Sequence, residues 1–144
     1  MRTIIVGTIT AALCVLLQAQ SPQPAHSVWD GVYTKEQAGR GQPLYGEHCA
    51  SCHGATLEGG ESAPALAGAE FLSNWNGLTA GDLFERMRTS MPQNKPGKLS
   101  REVNADILAY MLSGNQFPAG KTELSHVTEV LKDIRIDATK PEKK

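Results

Sequence analysis

Residues 49–53 read Cys-Ala-Ser-Cys-His, and the rest of the chain must fold around this stretch. Two thiols flank two small residues, and an imidazole follows at once. This spacing is typical of a covalent c-type haem attachment site. Each thiol adds across one vinyl group of the porphyrin, so Cys49 and Cys52 would hold the ring through two thioethers. His53 then stands where its ring can ligate the iron from one face.

A Cys-x-x-Cys pair also occurs in other kinds of site. A thioredoxin-like redox dithiol needs a βαβ context, and the sequence has no such pattern. A zinc site needs four ligands, and no second Cys-x-x-Cys or His pair completes them. Two unrelated buried cysteines are the plainest alternative. The trailing His53 favours haem attachment over all three.

The first 20 residues have the pattern of a secretory signal peptide. Arg2 supplies a positive charge, residues 3–17 carry none, and the small residue Ala19 lies among polar neighbours. The apolar run is short for a membrane helix, which needs about 20 residues, and an uncleaved anchor is the alternative. Haem attachment of this kind takes place outside the cytoplasm. We therefore expect an exported protein of a bacterial periplasm.

The overall charge and composition restrict the possible functions. The formal net charge is -1, so the chain lacks the strong positive field that nucleic-acid binding requires. Hydrophobic residues make up 40% of the 144 residues, which is few for the core of a domain of this size. A core that consists partly of porphyrin would account for the shortage.

Helix signals without a competing strand pattern predict a small all-α domain of about four helices wrapped around one haem. The first helix should start after Thr34, whose spacing to Gln37 fits a capping box, and run to about His48. Pro43 lies inside this helix. It should introduce a kink, or else the regular part of the helix begins near Gln42.

Two further helices carry N-cap signals. Thr79 should cap a helix that runs to about Thr89, and Ser100 should cap one that ends at Gly114 and Asn115. Together the signals divide the chain into a signal peptide (1–20), a flexible leader (21–33), the haem domain (34–115) and a C-terminal arm with a disordered tail (116–144). Apolar residues in the arm could fold it back as a short helix or an extended segment.

The chain resembles the class I, single-haem cytochromes c over residues 34–115. The resemblance rests on Gly41, Tyr45, residues 49–54, Pro64-Ala65-Leu66-Ala67-Gly68, Met91-Pro92 and Ala109-Tyr110-Met111-Leu112. In detail the sequence is most similar to periplasmic cytochromes c and cytochrome c domains associated with quinoprotein (PQQ) dehydrogenases. In that family the first helix crosses the C-terminal helix, and Gly41 and Tyr45 match the residues at the crossing.

The resemblance implies roles for four further residues. Pro64 matches the proline whose carbonyl accepts a hydrogen bond from the axial histidine, here His53, and so orients its ring. Leu66 should pack on the porphyrin, and Trp75 matches an aromatic residue near a haem propionate. Met91 matches the sulfur ligand on the second face of the iron. Without the resemblance, Pro64 is an ordinary turn proline and Trp75 an ordinary core side chain.

The local sequence also favours Met91 as the ligand. Three methionines follow the signal segment: Met87, Met91 and Met111. Met87 and Met111 fall on the apolar sides of predicted helices, where methionine commonly fills gaps. Pro92 disfavours helical geometry at Met91. Met91 should therefore lie in a loop, which can carry its side chain over a porphyrin.

The resemblance implies a one-electron carrier and not an enzyme, because filled axial positions keep substrates away from the iron. The expected donor is a periplasmic dehydrogenase, and the expected acceptor is a terminal oxidase or another cytochrome. No nucleic acid and no stable membrane span after signal cleavage are expected. One alternative is a tightly bound electron-entry subunit of a periplasmic oxidoreductase complex. Another is a haem sensor or peroxidase-like protein.

A run of basic residues surrounds the predicted sulfur ligand. It contains no acidic residue and consists of Arg86, Arg88, Lys95, Lys98 and Arg101. Such a surface could steer the protein toward an acidic partner. A merely solvated surface is the alternative.

Overall fold

The computed structural model describes residues 23–142, so the predicted signal peptide lies outside the described residues. The helices are α1 (Lys35–His48), α2 (Ala50–His53), α3 (Gly68–Trp75), α4 (Ala80–Ser90), α5 (Arg101–Gly114) and α6 (Thr128–Leu131). Two short strands, β1 (His26–Ser27) and β2 (Ile134–Arg135), pair in parallel. The prediction of a small helical domain with about four substantial helices is confirmed. None of the helices in residues 23–142 has the length and apolar character needed to cross a membrane.

The three longest helices begin where the sequence predicts. Thr34, Thr79 and Ser100 each accept a side-chain hydrogen bond, at 3.1–3.2 Å, from the backbone N–H three residues later. Each bond satisfies one of the N–H groups that the start of a helix leaves without a partner.

The Gln37 side chain departs from the predicted capping box. It turns toward the C-terminal arm, where its Nε2 donates to the Leu124 carbonyl at 3.0 Å and its Oε1 accepts from the Leu124 N–H at 2.6 Å. Both residues are buried. A buried backbone N–H and C=O need partners, and Gln37 supplies both. This long-range requirement takes precedence over the local motif.

Helix α1 continues through Pro43. The alternative prediction, that the regular helix begins near Gln42, is therefore wrong. Proline has no N–H, so the Gly39 carbonyl loses its partner within the helix. Because Gly39 and Pro43 are both exposed, water can bind that carbonyl, and the helix tolerates the loss.

The crossing of α1 and α5 is the most extensive helix pair of the domain. Gly41 is buried there, directly against the Asp106 carbonyl of α5. One turn later the Tyr45 and Tyr110 rings pack with centroids 5.3 Å apart. On the outer side, Arg40 donates to both carboxylate oxygens of Asp106, at 3.1 and 3.0 Å. The crossing thus joins the helix that leads into the haem motif to the last helix of the predicted haem domain.

The segment predicted to be a flexible leader, residues 21–33, packs onto the domain over its described part. Val28 is fully buried, and the Trp29 ring meets Phe117 edge-on with centroids 5.1 Å apart. The Tyr33 hydroxyl donates to the Phe117 carbonyl at 2.6 Å. Burial of these apolar side chains offsets the cost of ordering the segment. This part of the chain is therefore an integral part of the domain.

The C-terminal arm folds back over the domain and combines both predicted forms, a short helix (α6) and an extended segment (β2). Its buried apolar residues are Phe117, Leu124, Leu131, Ile134 and Ile136. The pairing of β2 with β1 adds a small parallel sheet to the predicted all-α fold. Two-residue strands are too short to show an alternating pattern in the sequence.

Candidate haem site

The Cys-x-x-Cys-His motif occupies the corner between α1 and α2. Cys49 ends α1, and its N–H donates to the Tyr45 carbonyl at 2.8 Å. The Cys49 carbonyl in turn accepts from the N–H groups of Cys52 and His53, at 3.1 and 3.0 Å. Cys49 is half-buried, Cys52 is exposed, and both thiols are free. One tight turn therefore fixes two thiols and one imidazole relative to one another.

The environment of the thiols does not suit a redox dithiol. Burial, and to a smaller extent the charge of Cys52, raises the pKa of Cys49 to about 11. Reactive cysteines of redox pairs instead have lowered pKa values. The Cys49 thiol is therefore protonated at neutral pH and lacks the thiolate character of a redox-active cysteine.

His53 is buried, and one hydrogen bond holds its ring. Nδ1 of His53 lies 2.8 Å from the Pro64 carbonyl oxygen. A carbonyl oxygen only accepts, so Nδ1 must donate and therefore carries the ring proton. Nε2 is then the nitrogen with the lone pair, and it is available to a metal. This is the hydrogen bond that the resemblance implies for Pro64.

The loop that carries Pro64 is held on both sides. The Leu66 N–H donates to the Leu57 carbonyl at 2.8 Å, and the Leu66 carbonyl accepts from Asn115 Nδ2 at 2.9 Å. Asn115 Oδ1 also accepts from the Gly68 N–H at 3.0 Å. From the sequence, Asn115 is only the end of α5, and nothing local reveals that it joins α5 to the loop supporting His53.

Leu66 and Trp75, the predicted porphyrin contacts, are both half-buried against the core. Trp75 ends α3, and its ring centroid lies 6.5 Å from that of Phe71. Part of each side chain is therefore left for a further contact. Both proposed roles stay predictions.

The three methionines of the domain have different surroundings. Met111 in α5 is 1% exposed and Met87 in α4 is 9% exposed, so both belong to the core. Met91 is half-buried and lies at the C-terminal cap of α4, with extended backbone angles of φ -120° and ψ 152°. The prediction that Met91 leaves the helix before Pro92 is thus confirmed, while its role as a ligand stays a prediction.

The basic surface near Met91 is smaller than the sequence predicts. Arg88 donates to Glu85 through Nε at 3.2 Å and through Nη2 at 2.7 Å. Arg101 Nη2 lies 3.9 Å from the same carboxylate. Glu85 stands just before the basic run in the sequence, and the helix brings it into contact with that run. The basic residues of the run that make no contact with Glu85 are Arg86, Lys95 and Lys98, and all three are exposed.

The sequence of residues 36–111 matches the family described as Cytochrome C oxidase, cbb3-type, subunit III. The chain belongs to this family of cytochrome c domains. Residues 36–111 are accordingly a cytochrome c electron-transfer domain with a covalently bound haem c, and the predicted cofactor and fold class are confirmed. The finer prediction, that this cytochrome is akin to those of quinoprotein dehydrogenases, stays a prediction.

Two relatives place the cytochrome among known proteins. It is 32% identical, over 94 residues, to the cytochrome bc1 complex cytochrome c subunit of Corynebacterium diphtheriae. The aligned residues make up 62% of this chain and 31% of the relative. The cytochrome thus matches less than half of that relative's length. Its structure is similar to a chain of the sulfane dehydrogenase SoxCD from Paracoccus pantotrophus, with a TM-score of 0.51 and 24% sequence identity. That alignment covers 74% of this chain and 61% of the other, and it supports the fold.

The residues of the motif fit a covalent haem. Cys49 and Cys52 are free thiols on a single tight turn, which is what two thioether bonds require. His53 has its Nδ1 engaged and its Nε2 available, so its ring would be able to bind the iron of such a haem.

Proposed function

We propose that this cytochrome is a periplasmic one-electron carrier whose haem is linked to Cys49 and Cys52 and ligated by His53 and Met91. Haem iron supplies a reversible one-electron couple, and methionine–histidine ligation raises its potential. The observation that carries the proposal is the 2.8 Å hydrogen bond between His53 Nδ1 and the Pro64 carbonyl. This bond reserves Nε2 for the metal.

The chain's own contribution is to hold the histidine in one orientation. The Pro64 carbonyl fixes the plane of the His53 ring and raises its basicity. Asn115 holds the loop that presents Pro64. On the other side of the motif, the Tyr45 hydroxyl donates to the Gly54 carbonyl at 2.6 Å and so secures the residue after the histidine. A ligand fixed in this way changes little between oxidation states, which favours fast electron transfer.

The surroundings of the methionines support Met91 as the second ligand. A side chain packed in the core, such as Met111 or Met87, is already committed to its apolar neighbours. Met91 lies where α4 has ended, is half-buried, and stands on extended backbone. It is therefore the methionine that can reach a cofactor without dismantling a helix contact.

The Met91→Ala variant tests the second ligand. We expect it to lose the weak long-wavelength sulfur-to-iron absorption of the oxidised protein, to have a lower reduction potential, and to bind carbon monoxide when reduced. The physical reason is that the thioether, which favours ferrous iron and fills the sixth position, is gone. Absorption spectra and a redox titration measure all three changes.

Met87→Ala is the matched control, because it removes a methionine from the helix that leads to Met91. We expect it to keep the absorption band and to lose on the order of 2–5 kcal/mol of stability, as core truncations do. If the band survives Met91→Ala and disappears in Met87→Ala, the ligand assignment is wrong. Carbon monoxide binding by the unmutated reduced protein would instead favour the sensor or peroxidase-like alternative.

The proposed location rests on the N-terminal signal pattern and on the chemistry of haem attachment. A periplasmic dehydrogenase as donor, and a terminal oxidase or another cytochrome as acceptor, fit a small carrier in that compartment. The exposed side chains Arg86, Lys95 and Lys98 are the basic groups left to attract an acidic partner.

The second candidate function is a tightly bound electron-entry subunit of a larger complex. It is favoured by the similarity to a relative whose name describes a subunit of a cytochrome bc1 complex. Purification of the tagged protein from its host membrane and periplasmic fractions separates the two. A carrier should elute alone at about 0.15 M salt, where exposed charges are screened beyond about 8 Å. Co-elution of stoichiometric oxidoreductase subunits would favour the complex.

A further inference from the structure

The loop between α4 and α5, residues 91–100, carries Met91 and has little support of its own. Residues 93–98 are exposed, and next to α5 Leu99 packs against the core and its carbonyl accepts from Asn104 Nδ2 at 3.2 Å. Within the loop, the Lys95 N–H donates to the Pro92 carbonyl at 2.9 Å, and the Lys98 N–H donates to the Lys95 carbonyl at 3.3 Å. These two turn contacts fix the local shape. The position of the loop over the domain must therefore come from what holds its two ends.

One side chain of the C-terminal arm contacts both of the helices that flank the loop. The Thr128 hydroxyl donates to Glu85 Oε1, on the last turns of α4. The Thr128 hydroxyl oxygen in turn accepts from Arg101 Nη1 at 3.2 Å, and Arg101 is the first residue of α5. A hydroxyl has one donor and two acceptor positions, so both bonds form at once. Thr128 thus bridges the helices that enter and leave the Met91 loop.

The groups around Thr128 make this bridge strong. Thr128 is buried, with 4% of its surface exposed. The hydrogen bond from Arg88, and then that from Thr128, lowers the pKa of Glu85 to about 2, so the carboxylate is charged at neutral pH. Arg101 Nη1 also donates to the His126 carbonyl at 3.0 Å. Each bond of Thr128 thus has one charged partner, the Glu85 carboxylate or the Arg101 guanidinium. Hydrogen bonds in which the donor or the acceptor is ionised are about twice as strong as neutral ones.

The backbone of α6 also lies close to the first turn of α4. Gly81 is buried near the start of α4, and a Cβ built there would lie 2.9 Å from the Thr128 carbonyl and 2.7 Å from the Lys132 nitrogen. The two helices therefore meet through bare backbone at Gly81 and through the Glu85–Thr128 bond one turn later. Two contacts one turn apart restrict both the sliding of α4 along its axis and its rotation against the arm.

We infer that Thr128, together with Glu85 and Arg101, forms a clamp that positions the Met91 loop over the haem. This inference rests on the proposed function, because it concerns the same ligand. The clamp residue Thr128 lies after the stretch that matches the cytochrome c family, residues 36–111. In this inference the C-terminal arm adds control over how firmly the sulfur ligand is held.

Imidazole is the probe, because it competes with Met91 for the iron of the oxidised holoprotein. Thr128→Val keeps the shape of the side chain and removes both hydrogen bonds of the clamp. We expect it to bind imidazole about tenfold more tightly than the unmutated protein, as measured by loss of the sulfur-to-iron band during titration. Thr128→Ser keeps the hydroxyl and should restore the unmutated affinity.

A control variant that loses a buried hydrogen bond elsewhere distinguishes an effect on the position of the Met91 loop from a general loss of stability. Tyr33→Phe removes one buried hydrogen bond, that to the Phe117 carbonyl, and should leave imidazole affinity unchanged. If Thr128→Val does not fold, Arg101→Met opens the same clamp while keeping an apolar contact with the Phe84 ring, 5.7 Å from the guanidinium carbon. Arg101→Met should also raise the imidazole affinity.

The outcomes distinguish this inference from the ligand assignment. If Met91→Ala binds imidazole tightly but both clamp variants bind it like the unmutated protein, the clamp is overturned and the assignment stands. If Met91→Ala binds imidazole no more tightly than the unmutated protein, the assignment of Met91 itself fails. Equal gains in Thr128→Val and Tyr33→Phe would also overturn the clamp, since they would report only reduced stability.

Discussion

Replacing both Cys49 and Cys52 with serine is expected to leave a chain that carries no covalent haem. Serine has nearly the same shape, but its hydroxyl does not form the thioether that a cysteine thiol forms with a vinyl group. The two thiols lie on one tight turn, and within residues 23–142 neither forms a disulfide. Denaturing gel electrophoresis followed by haem staining measures the result, because it removes any haem held only by ligation or packing.

Two kinds of control sharpen this experiment. Each single variant, Cys49→Ser or Cys52→Ser, keeps one attachment point and should stain more weakly than the unmutated protein but still visibly. Cys14→Ser removes the remaining cysteine of the sequence and should stain normally. A stained band from the double variant would show that the attachment site is elsewhere.

The features that could be predicted from the sequence are local ones. The Cys-x-x-Cys-His motif and the caps at Thr34, Thr79 and Ser100 each depend on residues within one turn of chain. Their chemistry is complete once that turn forms, so neighbouring residues are enough to identify them. The extended backbone of Met91 belongs to the same group, because Pro92 alone argues against helix at that position.

The features that the sequence could not reveal are long-range ones. Trp29 Nε1 donates to the Asp137 carbonyl at 2.9 Å, across 108 residues of sequence. The Gln37 side chain bonds the backbone N–H and C=O of Leu124, and Asn115 donates to the Leu66 carbonyl. Thr128 forms hydrogen bonds with residues of both α4 and α5. Each is a polar side chain that meets a backbone or charged group brought close only by the fold. Such partners leave no periodic pattern, so the sequence does not show which residues of the leader and the arm pack against the domain.

Replacing Gly41 with alanine is expected to destabilise the domain by about 3 kcal/mol or more, at the upper end of the cost of overpacking. The added Cβ would lie well inside the contact distance of the Asp106 carbonyl oxygen and 3.0 Å from the Tyr110 Cβ. The first obstacle is backbone, so no change of rotamer relieves it. Helices α1 and α5 would have to move apart along the crossing that places Tyr45 against Tyr110.

Gly39→Ala is the matched control for this prediction, since it makes the same change on the exposed side of the same helix. Nothing lies within 4 Å of a Cβ at Gly39, and alanine should stabilise the helix by up to about 1 kcal/mol. Denaturant unfolding of both variants gives the two free energies of unfolding. Because α1 leads directly into Cys49, displacement of α1 should also reduce haem attachment in Gly41→Ala alone. Equal stabilities for the two variants would mean that α1 and α5 do not approach as closely as the structure describes.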